Sequence, residues 1–256
     1  MKLLSKAIAT SLLTIGVASG AAAYTINDTG SAAFYGQGAP GDVLGGGSYQ
    51  VQGMDVSHDQ DYLYVTVSTN FGEANNVRYD FGDLFIDVDG WNPDGVAANY
   101  TDDTFVNQSV WDYAVLASND REAGAPDSKF GYGGLSVGDL MDLNGADLLT
   151  SNEVSAAWNN SGVRMDQEVG YQSGGADAGD AGVTIDTSSA INTLSFQIAL
   201  SDIGLQDAKH QEIGLRWSMT CANDIVEGSY TVPEPGTLAL LGLGLLGLGL
   251  RKRVKS

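Results

Sequence analysis

From Tyr62 to Thr69 polar and apolar residues alternate. Leu63, Val65 and Val67 fall on one side and Tyr64, Thr66 and Ser68 on the other, the period-2 pattern of a half-buried strand. The same alternation runs through Thr193 to Leu200 (Leu194, Phe196, Ile198, Leu200) and Glu212 to Thr220 (Ile213, Leu215, Trp217, Met219). Shorter strands are predicted at Tyr49 to Met54, Asp83 to Asp89, Trp111 to Leu116, Val183 to Asp186 and Ile225 to Tyr230. His58-Asp59-Gln60-Asp61 predicts a turn back into Tyr62, because Asp side chains imitate turn hydrogen bonds. Helical periodicity is missing between residues 24 and 232, except that Ser136 to Leu149 predicts one short helix interrupted at Asn144-Gly145. The glycine-rich stretches Gly36 to Gly47 and Gly170 to Gly182 read as loops. Together these features predict an all-β fold, an antiparallel two-sheet sandwich of about eight to ten strands.

The two ends break the pattern. Lys2 and Lys6 precede an apolar run from Ala7 to Val17, followed by Ala21-Ala22-Ala23. This order predicts a signal peptide over residues 1–23, cut by signal peptidase after Ala23. Residues 232–256 run Val232-Pro233-Glu234-Pro235, then fifteen apolar or small residues from Gly236 to Leu250, then the cations Arg251, Lys252, Arg253 and Lys255. Residues 236–250 are predicted to form a transmembrane helix of about 22 Å, short of the roughly 30 Å hydrocarbon core unless the basic side chains snorkel. The basic cluster would stay cytoplasmic and hold the body, residues 24–231, on the far side of the membrane.

Pro233-Glu234-Pro235, the Leu/Gly-rich segment and the closing basic cluster, behind a secretory signal, resemble the PEP-CTERM proteins of Gram-negative envelopes. The resemblance covers about the last 25 residues. It implies that the tail is an address and temporary anchor on the inner membrane, cut near Pro233 to Pro235 by an exosortase-like enzyme, and that the protein ends at the cell surface or outside the cell.

Without the two end segments, six Lys and Arg remain against thirty-one Asp and Glu, a formal charge of −25. Such a surface repels nucleic acid and anionic headgroups. Divalent cations, or solubility in a crowded envelope, are the roles it permits. Cys221 is the single cysteine, so no intrachain disulfide can form, and a buried thiol is expected.

Asp83, Asp87 and Asp89 stand on one side of the strand predicted at Asp83 to Asp89, with Leu84, Ile86 and Val88 facing the core. The turn that follows adds Asn92 and Asp94, so hard oxygen ligands suited to calcium converge. A solvated acidic strand end is the alternative. The spacing departs from a calcium loop, since Trp91 occupies the fifth position counted from Asp87. A second acidic spacing, Asp142 with Asn144 and Glu153, departs further, with Ala146 at the fifth position and Asp147 in place of glycine.

Trp91, Tyr62 and Tyr64 could offer ring faces to a sugar, or simply pack between strands. Trp111, Tyr113 and Trp217 read as core. No Gly-x-Ser-x-Gly, His-Glu-x-x-His or Cys-x-x-Cys pattern occurs. The runs Met54 to Phe71, Gly82 to Asp89 and Trp111 to Val115 resemble the carbohydrate-binding-like or DOMON-like sandwiches of secreted proteins, which would imply a binding module. Three readings follow: a non-enzymatic surface or matrix protein among exopolysaccharide, a carbohydrate-binding or calcium-dependent adhesive module, and a secreted hydrolase.

Overall fold

The computed structural model describes residues 23–27, 47–72, 79–91, 110–117, 135–157, 167–208, 211–222 and 224–232. Within them the chain forms β1 (Tyr24–Asn27), β2 (Val51–His58), β3 (Tyr62–Thr69), β4 (Leu84–Asp87), β5 (Tyr113–Val115) and β6 (Asp139–Thr150). A short helix α1 (Ser151–Ala157) follows, then β7 (Glu168–Asp180), β8 (Gly182–Asp186), β9 (Asn192–Ala199), β10 (Gln211–Ser218) and β11 (Ile225–Val232). The strands build a five-stranded sheet in the order β1-β2-β3-β9-β8 and a six-stranded sheet in the order β11-β10-β4-β5-β6-β7. Every pairing is antiparallel.

The alternating patterns translate directly into this packing. Leu63, Val65 and Val67 of β3 and Leu194, Phe196 and Ile198 of β9 point inward from the smaller sheet. They meet Leu84, Ile86, Ile213, Leu215 and Trp217 from the larger one, and all are almost fully buried. At about 25 cal/mol per Å² of apolar surface, this layer supplies the main driving force for folding. The predicted turn at Asp59 also forms, with Asp59 Oδ1 accepting the N–H groups of Asp61 and Tyr62 at 2.8 Å each.

The larger sheet is covered on its outer side as well. Phe85, Trp111, Ala114, Leu116, Met141, Leu143 and Tyr171 form a second buried cluster there. All four residues of β4 are therefore buried, and the side of β4 that carries Phe85 is not the solvent face the alternation suggests.

Two sequence expectations are corrected by β6 and β7. Residues 136–149 do not form a helix: most of them lie in β6, and the helix begins only at Ser151. The misleading signal has a physical cause. Leu140 faces the main core while Met141 and Leu143 face the outer cluster, so apolar residues need not alternate. Thr150 and Glu153 then cap α1, Glu153 Oε2 accepting the Thr150 N–H at 2.9 Å and Thr150 Oγ1 accepting the Glu153 N–H. The stretch Gly170 to Gly182 is likewise largely strand, not loop. Its glycines serve bulges against β6. Gly175 sits at φ +65°, and a Cβ there would lie 2.2 Å from the Asp142 carbonyl oxygen.

Residues 36–46 of the first predicted loop, the signal segment up to residue 22 and the predicted span 236–250 lie outside the described residues. Among the described residues no helix is long and apolar enough to cross a membrane.

Candidate functional site

The larger sheet brings acidic side chains together at one end, where β4 stops and β5 begins. Ile86 pairs with Tyr113, and just beyond it the Asp112 N–H donates to the Ile86 carbonyl at 2.9 Å. Asp112 Oδ2 in turn accepts the Val88 N–H at 2.8 Å. This exchange brings the Asp112 carboxyl close to that of Asp87. Asp87 is buried, and burial, with the charges of Asp112 and Asp89 adding to it, pushes its carboxyl up to about 6. Asp87 therefore keeps its proton to a higher pH than an ordinary carboxyl, because a desolvated carboxylate beside other acids ionises less readily.

A half-open cleft of about 410 Å³ adjoins this pair, lined among others by Trp111, Asp112, Tyr113, Asp142, Leu143 and Asn144. Register places Tyr113 opposite Asp142 across β5 and β6. Burial first, then the carboxylates of Asp142 and Asp112, raise the Tyr113 phenol above its ordinary value. The cleft thus keeps its hydroxyl protonated and presents one donor among several acceptors.

The proposed calcium ligands do not gather as a set among the described residues. Asp83 sits at the other end of β4, about 13 Å from Asp87 at strand rise. Its carboxylate is fully buried and accepts the backbone N–H groups of Ala117 at 3.0 Å and Tyr171 at 2.7 Å, holding three segments together. Asp87 Oδ1 accepts the N–H of exposed Asp89 at 2.9 Å. Asn92 and Asp94 lie outside the described residues. Within those that are described, no group of three or more His, Cys, Asp or Glu side chains is placed to hold a metal ion. In the second acidic spacing, the Asp142 carboxylate accepts the Asn144 N–H and Glu153 caps α1, so the two serve separate turns of backbone.

The three aromatic candidates separate onto opposite outer faces of the sandwich. Tyr62 and Tyr64 stand together on the outer face of β3, ring centroids 6.2 Å apart, with the Tyr64 hydroxyl donating to Asp59 Oδ2 at 2.7 Å. Trp91 packs instead against the outer cluster of the larger sheet, and its indole N–H donates to Glu227 Oε1 at 2.8 Å. That indole anchors a buried polar network. Arg216 of β10 pairs through Nη1 with Glu227 of β11 and donates through Nη2 to Gln167 Oε1 at 2.6 Å. Burial pushes Glu168 up to about 7, opposed by the Arg216 charge and a hydrogen bond with Trp111, while Glu227 pushes the same way as burial.

This network escaped the sequence reading, although one signal was available. Arg216 stands at an outward position of an alternating strand, between Leu215 and Trp217, in a body with very few cations. A lone cation at such a position marks a covered outer face. Elsewhere the side chains behave as expected: Cys221 and Trp217 are buried, and Trp217 donates its indole N–H to the Gly82 carbonyl at 3.0 Å.

Val232 ends β11, buried and paired with Gln211. Pro233, Glu234, Pro235, Arg251, Lys252, Arg253 and Lys255 follow outside the described residues. No curated protein and no solved structure matches the chain. The family model of the PEP-CTERM protein-sorting motif matches residues 231–253, from the last two residues of β11 through the basic cluster.

Proposed function

We propose that this is a non-enzymatic protein of the cell surface or extracellular matrix, exported behind the signal peptide of residues 1–23 and held by residues 236–250. An exosortase-type enzyme then cuts it near Pro233 to Pro235. The sorting motif over residues 231–253 carries the reading. The strongly acidic body supports it, since such a surface stays soluble and avoids anionic partners in a crowded envelope. Neutral exopolysaccharide and divalent cations are the surroundings it suits.

The second reading, a carbohydrate-binding or calcium-dependent adhesive module, is favoured by the pairing of exposed Tyr62 with half-buried Tyr64 beside Asp59. A glycan pull-down with and without EDTA separates the two readings. The sorting reading is tested by the mass of the protein in envelope and medium fractions of the producing cells. Expected is a chain beginning near Tyr24 and ending near Pro233 to Pro235. Changing Glu234 and both prolines to alanine should leave membrane-held precursor, and release of normal-sized protein from that variant would refute the assignment.

A further inference from the structure

The sorting motif and the sandwich share residues. Thr231 and Val232 belong to the matched motif and also to β11, where they pair with Glu212 and Gln211. Val232 is 2% exposed, and its partner Gln211 is tied through its side-chain amide to the Val88 carbonyl. Proline has no N–H and cannot lengthen the ladder, while the residue before it is held extended. The fold therefore continues to the last residue before Pro233. In sequence, Pro233-Glu234-Pro235 begins at the residue directly after the last pair of β11.

We propose that the folded sandwich gates its own processing. The cut breaks one peptide bond near Pro233 to Pro235, its acyl carbon passing to water or an amine nucleophile and the new amino group staying on the tail. An enzyme that threads an extended segment through its cleft must grip residues on both sides of that bond. On the upstream side these are Tyr230, Thr231 and Val232, which are paired with Ile213, Glu212 and Gln211. Productive docking then requires the final pairs of β11 to open, or the cut to precede completion of the strand. Strand ends open locally at far lower cost than the whole fold, so such a gate slows processing without forbidding it.

This inference rests on the reading of Pro233 to Pro235 as the processing site. The test is a pulse–chase of the full chain in a Gram-negative host carrying an exosortase-type enzyme, following conversion of precursor. Three variants are compared with the parent: a six-residue Gly/Ser insertion between Val232 and Pro233, Val232→Ser, and the variant with Glu234 and both prolines changed to alanine. The insertion moves the site clear of β11 and should speed conversion by at least about threefold, as expected when local opening limits access. Val232→Ser should shift it in the same direction by loosening the strand end. Unchanged or slower conversion with the insertion overturns the gate, while conversion of the parent and none of the triple variant leaves the sorting reading standing. If neither the parent nor the insertion variant is converted, both fall. Because the insertion leaves every residue of the sandwich in place, its result decides even if Val232→Ser folds poorly.

Discussion

Asp87 and Asp112 lie side by side at the end of the larger sheet, one closing β4 and the other preceding β5 with its carboxylate on the Val88 N–H. Their closeness is set by backbone, because Asp112 both donates its N–H to Ile86 and accepts that of Val88. With Asp87 raised to about 6, the folded state holds a proton that the unfolded chain, near 3.8, releases earlier. Stability from this group is therefore complete below about pH 4 and is lost as pH rises through 6. Asp87→Asn keeps a donor toward Asp112 and removes the ionisation. At pH 7.5 it should raise Tm by a few degrees, on the order of 1 kcal/mol, and it should flatten the loss of stability between pH 4 and 6. A thermal melt series over that range checks both.

The Arg216 network gives a second, opposite kind of result. Arg216 and Glu227 are both buried, and removing one partner of such a pair leaves an uncompensated charge, typically at a cost of 3–5 kcal/mol. Arg216→Met should accordingly lower the urea midpoint strongly, while Arg216→Met with Glu227→Leu should recover much of the loss. Glu168 adds a pH signature. Raised to about 7 from 4.5, it favours the folded state fully below about pH 4.5, and that contribution disappears as pH climbs through 7. Glu168→Gln should stabilise the protein at pH 8 and make its urea midpoint less dependent on pH between 5 and 8. The general repulsion of the acidic surface also weakens at low pH, so the comparison is between variant and parent at each pH.

What the sequence made legible depended on whether the second face of a strand carries polar residues. β3 and β9 alternate because that face is partly open, and β10 alternates although its covered outer face is buried, because that face carries Gly214, Arg216 and Ser218; all three lie within a residue or two of their predicted bounds. β6 and β7 failed for the reason that β6 is buried on both sides over Leu140 to Leu143 and β7 spends its glycines on bulges. The same two-sided burial hid the site. Asp83 and Asp87 fall on one side by count, yet one is absorbed into backbone clamping and the other lies beside Asp112, which directly precedes a neighbouring strand. Pairing between strands distant in sequence is what decides such partners, and alternation within one strand carries no trace of it.

Asp83 offers the sharpest structural prediction. It accepts the N–H groups of Ala117 and Tyr171 from a fully buried position, beside Gly82, whose N–H donates to the Ser218 carbonyl at 3.0 Å. Asp83→Ala strands two buried backbone donors, each worth about 1–3 kcal/mol when unsatisfied. Loss on the order of 2–5 kcal/mol should appear as an earlier urea transition, with Asp83→Asn intermediate because its one carbonyl oxygen can still accept. A change below about 0.5 kcal/mol in Asp83→Ala, the range of ordinary surface substitutions, would show that this carboxylate does not clamp β4 to β5 and β7.

Calcium in the adhesive reading would act on Asp87, Asp89, Asn92 and Asp94, with Asp83 clamped away in the core and Asp112 standing beside Asp87 instead. A divalent cation at Asp87 replaces its proton and relieves the repulsion that helps to raise it, so cation and proton should compete. A ligand that binds only the folded state stabilises it by RT ln(1 + [L]/Kd), about 2.7 kcal/mol at a hundredfold excess over Kd. For a chain of this size that corresponds to a rise in Tm of very roughly 5–10 °C. The full-length protein, and its processed form, should therefore melt higher in millimolar calcium than in EDTA at pH 7.5, with a smaller difference at pH 5.5, where Asp87 holds its proton more firmly. Asp87→Asn with Asp89→Asn should remove most of the effect. Magnesium and sodium chloride at matched ionic strength control for screening of the acidic surface. Equal shifts with all three salts, or a shift that survives the double substitution, would leave Asp87 and Asp112 as neighbouring acids with no cation to bind.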